Sequence, residues 1–284
     1  MQPLITSRRN PLVRRLRALA GRKGREQEGL VLLEGTHLLQ ELAPLLEHKD
    51  LELELVATPA WIDGHQPLLA LFKPMLRLQL VSEEVLQAAL STVHPDGVAA
   101  LMPLALLPQC PALPTFVLAL DRVQDPGNLG TLLRTALAAD VEMVWQGSGA
   151  DPLSPKVVRS SAGALLRLPH QRFGPSEAMG VEGLRQALLD GQDRGLQVVG
   201  TVVPGTGPAL PVCSYWELDW TRPTVLVLGN EGSGLHPDLQ GCCTHAVTLP
   251  HSTAVESLNV ASAAVPLLLE RRRATMTASS QQSG

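Results

Sequence analysis

Short apolar runs separated by amphipathic segments predict two successive α/β regions along this chain. An apolar run bounded by polar residues or glycine, and too short for a helix, is typical of a buried strand. In the first region such runs occupy residues 29–35, 51–57, 76–81 and 97–101. Helices are predicted from Asn10-Pro11 to Gly21, from a cap at Thr36 to about Glu47, and over Glu83–Leu90.

From Phe116 onward, strand and helix patterns alternate, which indicates an α/β domain with a mostly parallel sheet. The predicted strands are 116–120, 143–146, 197–202 and 224–228. One predicted helix ends at 139, and the other three cover 154–164, 181–194 and 257–272. Residues 102–115 contain four prolines and little charge, which indicates a linker. We therefore predict domains at 1–105 and 116–273, a linker at 106–115 and a disordered tail at 274–284.

The net charge of −4 is unevenly distributed along the chain. Residues 1–25 contain eight basic side chains and no acidic one, whereas the remainder has 15 basic and 27 acidic residues. A basic arm on an acidic body indicates a polyanionic partner at the N-terminus. An acid-free, arginine-rich start also fits an organellar targeting segment. The basic residues are Arg8, Arg9, Arg14, Arg15, Arg17, Arg22, Lys23 and Arg25.

Cysteine and histidine usage gives no sign of a disulfide framework or a metal centre. The four cysteines include no CxxC pair, so reduced thiols in a cytoplasmic protein are expected. The eight histidines are scattered, and we predict no metal. Apolar stretches are short and interrupted by proline, so we predict no membrane-spanning helix. Aromatic residues make up only 3% of the chain, which argues against a platform of stacked bases.

Three separated segments combine small residues with a few polar side chains beside an apolar run. They are Asn128 to Arg134, Leu228 to Leu235 and Glu256 to Val260. Loops at the carboxyl ends of strands in open α/β sheets bind ligands, and glycines let a ligand approach the backbone closely. Each segment alone also fits an ordinary turn or helix cap. Neither a Walker loop nor a G-x-G-x-x-G turn is present.

In this order, the three segments resemble the motifs of the SpoU/TrmH family of RNA ribose 2′-O-methyltransferases, within the SPOUT superfamily. The first 110 residues are similar to the family's smaller α/β substrate-binding domain at 9–13, 22–25 and 33–35. The resemblance implies a SPOUT-type parallel sheet with a C-terminal trefoil knot, S-adenosyl-L-methionine as cofactor, and a homodimer with the active site at the subunit interface. It departs from the family at Pro250-His251-Ser252-Thr253, where Met and Gly are usual.

The resemblance also implies the site residues. The catalytic set would be Asn128, Arg134, Glu231, Ser257 and Asn259, and the cofactor set would be Gly200, Thr201, Gly229, Asn230, Gly232, Leu249 and Leu258. The eight N-terminal cations would bind RNA. Because a guanidinium is a poor proton acceptor, we expect Arg134 to act electrostatically and to position phosphate. We expect Asn259 inside the first turn of the last helix, and the ligand close to Gly229.

The predicted activity is methyl transfer to a ribose 2′-hydroxyl of ribosomal or transfer RNA. The full N-terminal domain favours ribosomal RNA. One alternative is a catalytically silent RNA-binding or ribosome-assembly protein of the same fold, and binding of S-adenosylmethionine would distinguish the two. Another is an RNA base methyltransferase, which would need a side chain to hold a base edge.

Overall fold

The computed structural model describes residues 3–46, 52–72, 76–202, 210 and 212–282. They form two compact units. The first comprises Met1–Leu107 together with Asp151–Leu166, and the second comprises Pro108–Ala150 together with Arg167–Gly284.

The first unit contains a four-stranded mixed sheet of order β1-β4-β2-β3. Only β2 and β3 run parallel, while β4 is antiparallel to both of its neighbours. The elements are α1 (Pro11–Leu19), α2 (Arg22–Glu28), β1 (Leu30–Glu34), α3 (Thr36–Leu46), β2 (Leu53–Ala57), α4 (Pro59–Gly64), α5 (Gln66–Ala70), β3 (Leu76–Leu80), α6 (Glu83–Ala89) and β4 (Val98–Pro103). The four strands and helices α1, α3 and α6 agree with the predicted ones, whereas α2, α4 and α5 were not predicted. Glu47 and Leu51 lie outside the described residues.

Local chemistry explains how α1 and α3 begin. The side chain of Asn10 accepts a hydrogen bond from the Leu12 amide at 2.9 Å, and Pro11 is the first helical residue. In α3 the predicted cap, Thr36, is itself the first helical residue. Its amide donates to a carboxylate oxygen of Asp96 at 2.7 Å. Asp96, rather than Thr36, therefore accepts a backbone amide at the start of this helix.

The second unit contains a seven-stranded sheet of order β7-β6-β5-β10-β8-β11-β9. Every pair of neighbours is parallel, which confirms the predicted α/β class and parallel sheet. From residue 108 the elements are β5 (Phe116–Leu120), α7 (Pro126–Ala138), β6 (Met143–Gln146), α8 (Pro155–Ser160), β7 (His170–Arg172), α9 (Glu177–Asp193), β8 (Gln197–Thr201), β9 (Val212–Ser214), β10 (Thr224–Leu228), α10 (Pro237–Gln240), β11 (His245–Thr248) and α11 (Val260–Gln282). The trefoil knot stays a prediction.

Burial explains why the central strands are easy to detect in the sequence. All five residues of β5 and of β10 are buried, as expected when a parallel sheet has both faces covered. On one face, Val117 and Val225 pack in a cluster with Leu184 and Leu188 of α9. No helix among the described residues is long and apolar enough to cross a membrane.

Residues 151–166, including α8, belong to the first unit, although the sequence places them in the second domain. Two ion pairs account for this. The guanidinium of Arg25 pairs with Asp151, and Arg159 donates to Glu34 at 2.5 Å. Arg25 is buried, and Glu34 also accepts from the amides of two residues that follow α6, so both pairs are built into the unit.

The C-terminal tail also differs from the prediction. Helix α11 starts at Val260 rather than Ser257 and continues to Gln282, where we predicted disorder from Ala274. No glycine or proline interrupts residues 267–282, and alanine, methionine and glutamine are good helix formers. The hydroxyls of Thr275 and Thr277 bond to backbone carbonyls one turn back. Residues 283–284 of the predicted tail lie outside the described residues.

Candidate active site

The first site element is the loop that joins β5 to α7. Asp125 caps α7 by accepting the Asn128 amide at 2.8 Å, and Pro126 follows as the first helical residue. This start places Asn128 in the first turn of α7, directly beyond the carboxyl end of β5. From this position the side chain of Asn128 extends away from the helix toward neighbouring loops.

Three predicted catalytic residues from three distant segments form one chain of hydrogen bonds. The amide nitrogen Nδ2 of Asn259 donates to Oδ1 of Asn128 at 3.0 Å. Nδ2 of Asn128 in turn donates to a carboxylate oxygen of Glu231 at 3.1 Å. The structure thus brings together the side chains of all three motifs.

The orientation of this chain is set by the start of α11. Oδ1 of Asn259 accepts the amides of Ala261 at 2.9 Å and Ser262 at 3.2 Å. Because those donors fix which side of the amide is oxygen, Nδ2 must face Asn128. Asn259 is therefore the cap of α11, and the prediction that it lies inside the first helical turn is wrong. Because the cap fixes the orientation of the Asn259 amide, its Nδ2 is also directed at Asn128.

A cavity of about 280 Å³ lies at the carboxyl ends of the adjacent strands β10, β8 and β11. Its size is close to the lower end of the ~300–1,000 Å³ range of small-molecule sites. Leucine and valine side chains form much of the wall, and the glycine-rich segment after β10 forms another part. The predicted residues that line it are Thr201, Gly229, Asn230, Glu231, Gly232, Leu249, Ser257 and Leu258.

Two predicted cofactor residues have different surroundings from those expected. Gly200 does not line the cavity, and a Cβ there would lie 2.7 Å from the sulfur of Cys243, so this glycine makes room for packing. A Cβ on Gly229 would lie 2.4 Å from the backbone of Gly234 and Leu235. A side chain at Gly229 therefore collides first with its own loop, rather than with a ligand.

Several lining residues were missed in the sequence. They are Val202, Leu228, Gly234, Leu235, Val247, His251, Glu256, Val260, Ala263 and Leu267. The i, i+3, i+7 spacing of Val260, Ala263 and Leu267 marks one face of α11, so helical periodicity could have identified that part. At 2.7 Å from the Leu249 carbonyl, Nδ1 of His251 must carry the hydrogen.

Arg134 stands apart from the other predicted catalytic residues. It lies on the exposed face of α7 with Thr131, its side chain makes no hydrogen bond within the described residues, and it is not among the residues that line the cavity. Within one chain, Arg134 is therefore a solvent-facing guanidinium on α7, the same helix that carries Asn128.

The eight N-terminal cations divide into free and engaged groups. Arg25 is 2% exposed and donates to the carbonyls of Leu19 and Ala20 as well as to Asp151, so its predicted contact with RNA is wrong. Arg15 pairs with two glutamates, Arg22 pairs with Glu26, and Arg17 donates to the Ala88 carbonyl. Exposed cations without such a contact in the described residues are Arg8, Arg9, Arg14 and Lys23.

The ionisable groups in the described part of the chain do not assemble a metal site. No group of three or more His, Cys, Asp or Glu side chains among the described residues has a geometry that could hold a metal ion. All four cysteines are free thiols. Burial raises the pKa of the Cys243 thiol to about 12.

Comparison with known proteins is consistent with this arrangement. The model of the SpoU rRNA Methylase family matches residues 115–268, and that of the MRM3-like substrate binding domain matches residues 10–100. An uncharacterized tRNA/rRNA methyltransferase of Synechocystis is 42% identical over 97% of this chain and 95% of its own length. A 23S rRNA (guanosine(2553)-2′-O)-methyltransferase of Bacillus subtilis is 30% identical over 94% of this chain and 98% of its own.

The fold is also similar to that of solved structures. The AdoMet-bound rRNA methyltransferase of Sinorhizobium meliloti aligns with a TM-score of 0.75 and 27% identity, over 95% of this chain and 97% of its own.

Proposed function

This chain belongs to the SpoU rRNA Methylase family, and from that premise we propose that it methylates a ribose 2′-hydroxyl of RNA with S-adenosylmethionine. The observation that carries the proposal is the hydrogen-bonded chain Asn259–Asn128–Glu231 beside the cavity at the strand ends. These three residues come from separate segments, and the family's motifs account for all of them.

The cavity fits S-adenosylmethionine by the chemistry of its walls. Apolar side chains such as Leu249 and Leu258 suit a purine, and the glycine-rich segment exposes backbone polar groups suited to ribose and amino-acid atoms. Carboxylates at Glu231 and Glu256 provide negative charge for a cationic ligand. We propose that Thr201, Gly229, Asn230, Gly232, Leu249 and Leu258 hold the cofactor, which supplies an already activated methyl group when bound.

The chain's own part in the reaction is positioning and charge stabilisation. We assign Asn128 and Asn259 to the orientation of the Glu231 carboxylate, and we place Ser257, which lines the cavity, beside the reacting groups. Arg134 would stabilise charge on the 2′-oxygen and hold a neighbouring phosphate with its planar fork. Neither task requires Arg134 to accept a proton.

In the proposed homodimer, Arg134 would face the cofactor bound by the other subunit. Helix α11 carries an exposed apolar stripe of Val265, Leu269 and Met276, at spacings that lie on one helical face, and Leu258 is also exposed. We propose that this stripe is buried in a homodimer with the active site at the interface. Light scattering should show a dimer that Leu269→Asp dissociates; a wild-type monomer at micromolar concentration would contradict the dimer.

We propose ribosomal RNA as the substrate, since the Bacillus subtilis relative of nearly the same extent is named for 23S rRNA. The exposed cations Arg8, Arg9, Arg14 and Lys23 would contact its phosphates. Because none of the four cysteines is paired, we further propose that the protein works in the cytoplasm.

The test is methylation of RNA by the purified protein with methyl-labelled S-adenosylmethionine. Ribosomal and transfer RNA from cells that lack the gene serve as substrates, and alkaline hydrolysis then locates the label. A 2′-O-methyl group blocks cleavage of the adjacent phosphodiester, so label should remain in alkali-resistant dinucleotides. Arg134→Ala should lose transfer while still binding the cofactor. Label in mononucleotides would indicate base methylation, and absence of cofactor binding would favour a silent RNA-binding protein.

A further inference from the structure

Two residues outside the cavity, Asp121 and Arg122, hold both ends of the glycine-rich segment that forms one of its walls. They follow β5 directly, and neither lines the cavity. We propose that Asp121 and Arg122 are positioning residues that keep residues 230–235, named here the cofactor loop, in its binding conformation. This inference rests on the proposed function, because it assigns the loop to S-adenosylmethionine.

The backbone of Arg122 holds the start of the cofactor loop. Its carbonyl accepts Nδ2 of Asn230 at 2.9 Å. Oδ1 of the same amide accepts the backbone amides of Gly232 at 2.9 Å and Ser233 at 3.0 Å. One side chain thus folds the loop on itself and ties it to Arg122.

This contact depends on an unusual backbone conformation. Arg122 has a φ of 55°, in the left-handed region that residues with a Cβ adopt only at an energetic cost. Such conformations persist when surrounding contacts fix them. Here the side chain and the carbonyl of the same residue are both bound, which supplies the constraint.

The side chain of Arg122 holds the other end of the loop. Its guanidinium donates to both oxygens of Asp121, at 2.9 and 3.1 Å, and more weakly to the Gly234 carbonyl at 3.5 Å. The same Asp121 carboxylate accepts the amide of His236 at 2.8 Å, just beyond the loop. Asp121 is fully buried, so its charge requires the guanidinium as counter-ion.

A second carboxylate, that of Glu177 at the start of α9, joins this cluster. Glu177 accepts from the Arg122 guanidinium at 2.9 Å, and the neighbouring Asp121 keeps the pKa of Arg122 above its ordinary value. Arg122 therefore stays charged throughout the neutral pH range. The grip on the loop should not depend on pH in the neutral range.

Loss of the guanidinium should loosen the loop and weaken the cofactor without removing any lining side chain. For Arg122→Ala we expect the dissociation constant and the KM for S-adenosylmethionine to rise about tenfold, because one charge-assisted contact is lost. We expect kcat at saturation to change less than about threefold. Arg122→Lys, which keeps the charge but not the fork, should recover part of the affinity.

Two further variants separate affinity from stability. Arg122→Gly also removes the guanidinium but relieves the positive φ, so it should match Arg122→Ala in affinity and exceed it in melting temperature. Asn230→Asp keeps the acceptor for Gly232 and Ser233 but loses the donor to the Arg122 carbonyl, and it should also weaken binding. Arg185→Ala is the matched control, because Arg185 forms its ion pair with Glu182, one turn away on α9.

Hydrogen exchange of cofactor-free protein provides a readout that does not need activity. Peptides covering residues 229–236 should exchange faster in Arg122→Ala than in wild type, and Arg185→Ala should match wild type. Unchanged exchange and unchanged cofactor affinity in Arg122→Ala would overturn the inference. If wild type bound no S-adenosylmethionine, the proposed function would fail, and the exchange data alone would decide whether Asp121 and Arg122 hold the loop.

Discussion

Replacement of Asn259 by aspartate removes one hydrogen bond while it keeps the helix cap. Aspartate still offers an oxygen to the amides of Ala261 and Ser262, but its second oxygen then faces Oδ1 of Asn128 where a donor stood 3.0 Å away. If Asn128 flips to donate to the new carboxylate, its own oxygen faces Glu231. No arrangement of the three side chains satisfies both contacts.

The stability cost follows from these contacts. The lost hydrogen bond is worth about 1 kcal/mol, and repulsion between the oxygens adds about 0.5 kcal/mol in this exposed setting. A negative charge at the N-terminus of α11 returns about 0.5 kcal/mol. The net loss of about 1 kcal/mol corresponds to about 2–4 °C in melting temperature for a domain of this size. Asn259→Ala loses the cap as well, so it should cost about 2 kcal/mol.

Activity should follow the opposite order. In Asn259→Ala, Asn128 keeps its freedom to donate to Glu231, whereas in Asn259→Asp it is repelled from that orientation. We expect single-turnover methyl transfer to fall about 10-fold in the alanine variant and about 100-fold in the aspartate variant, which corresponds to one misplaced polar group at the reacting centre.

Thermal melts and single-turnover transfer to a substrate RNA would be measured side by side on both variants. The informative result is the crossing of the two orders, with aspartate the more stable variant and alanine the more active one. If the more stable variant were also the more active, the amide would serve only as a helix cap, and the interpretation of the hydrogen-bonded chain would be refuted.

Three further outcomes are expected. Arg25→Met should lower the free energy of unfolding by about 3 kcal/mol, because it leaves a carboxylate without its buried partner, and chemical denaturation would measure this. Arg14→Ala should reduce the salt dependence of RNA binding by about 0.7–0.9 in log–log slope, while Arg15→Ala, whose charge is already paired, should leave it unchanged. Since burial raises the pKa of Cys243 to about 12, iodoacetamide at pH 8 should modify the exposed Cys110 first, with Cys243 reacting only after unfolding.

The strands of the parallel sheet could be predicted because burial on both faces leaves a direct mark on the sequence. Phe116–Leu120 and Thr224–Leu228 are nearly continuous apolar runs, and both are fully buried. The start of α11 could not be placed as well, since Ser257 and Asn259 are both good capping residues. In the structure, Asn259 is the residue that caps α11, and its side chain also donates to Asn128.

The division of the chain into two units could not be predicted from the sequence, for a different reason. Residues 151–166 belong to the first unit through ion pairs such as Arg25–Asp151 and Arg159–Glu34. These partners are separated by 126 and 125 positions. No local periodicity or composition change marks such a contact, so a sequence pattern assigns the segment to its neighbours in the chain.

The order of strands explains why three weak motifs form one site. In the sheet β5 is followed by β10, β8 and β11, all parallel, so the loops that leave these strands open at the same edge. That edge places the Asn128 loop beside the Glu231 loop, and the segment after β11 then supplies Asn259. Because each side chain is oriented by a backbone group or by the next side chain, this chain of contacts is set by the fold before any ligand binds. A reaction whose methyl group arrives activated needs this kind of positioning more than it needs a strong base.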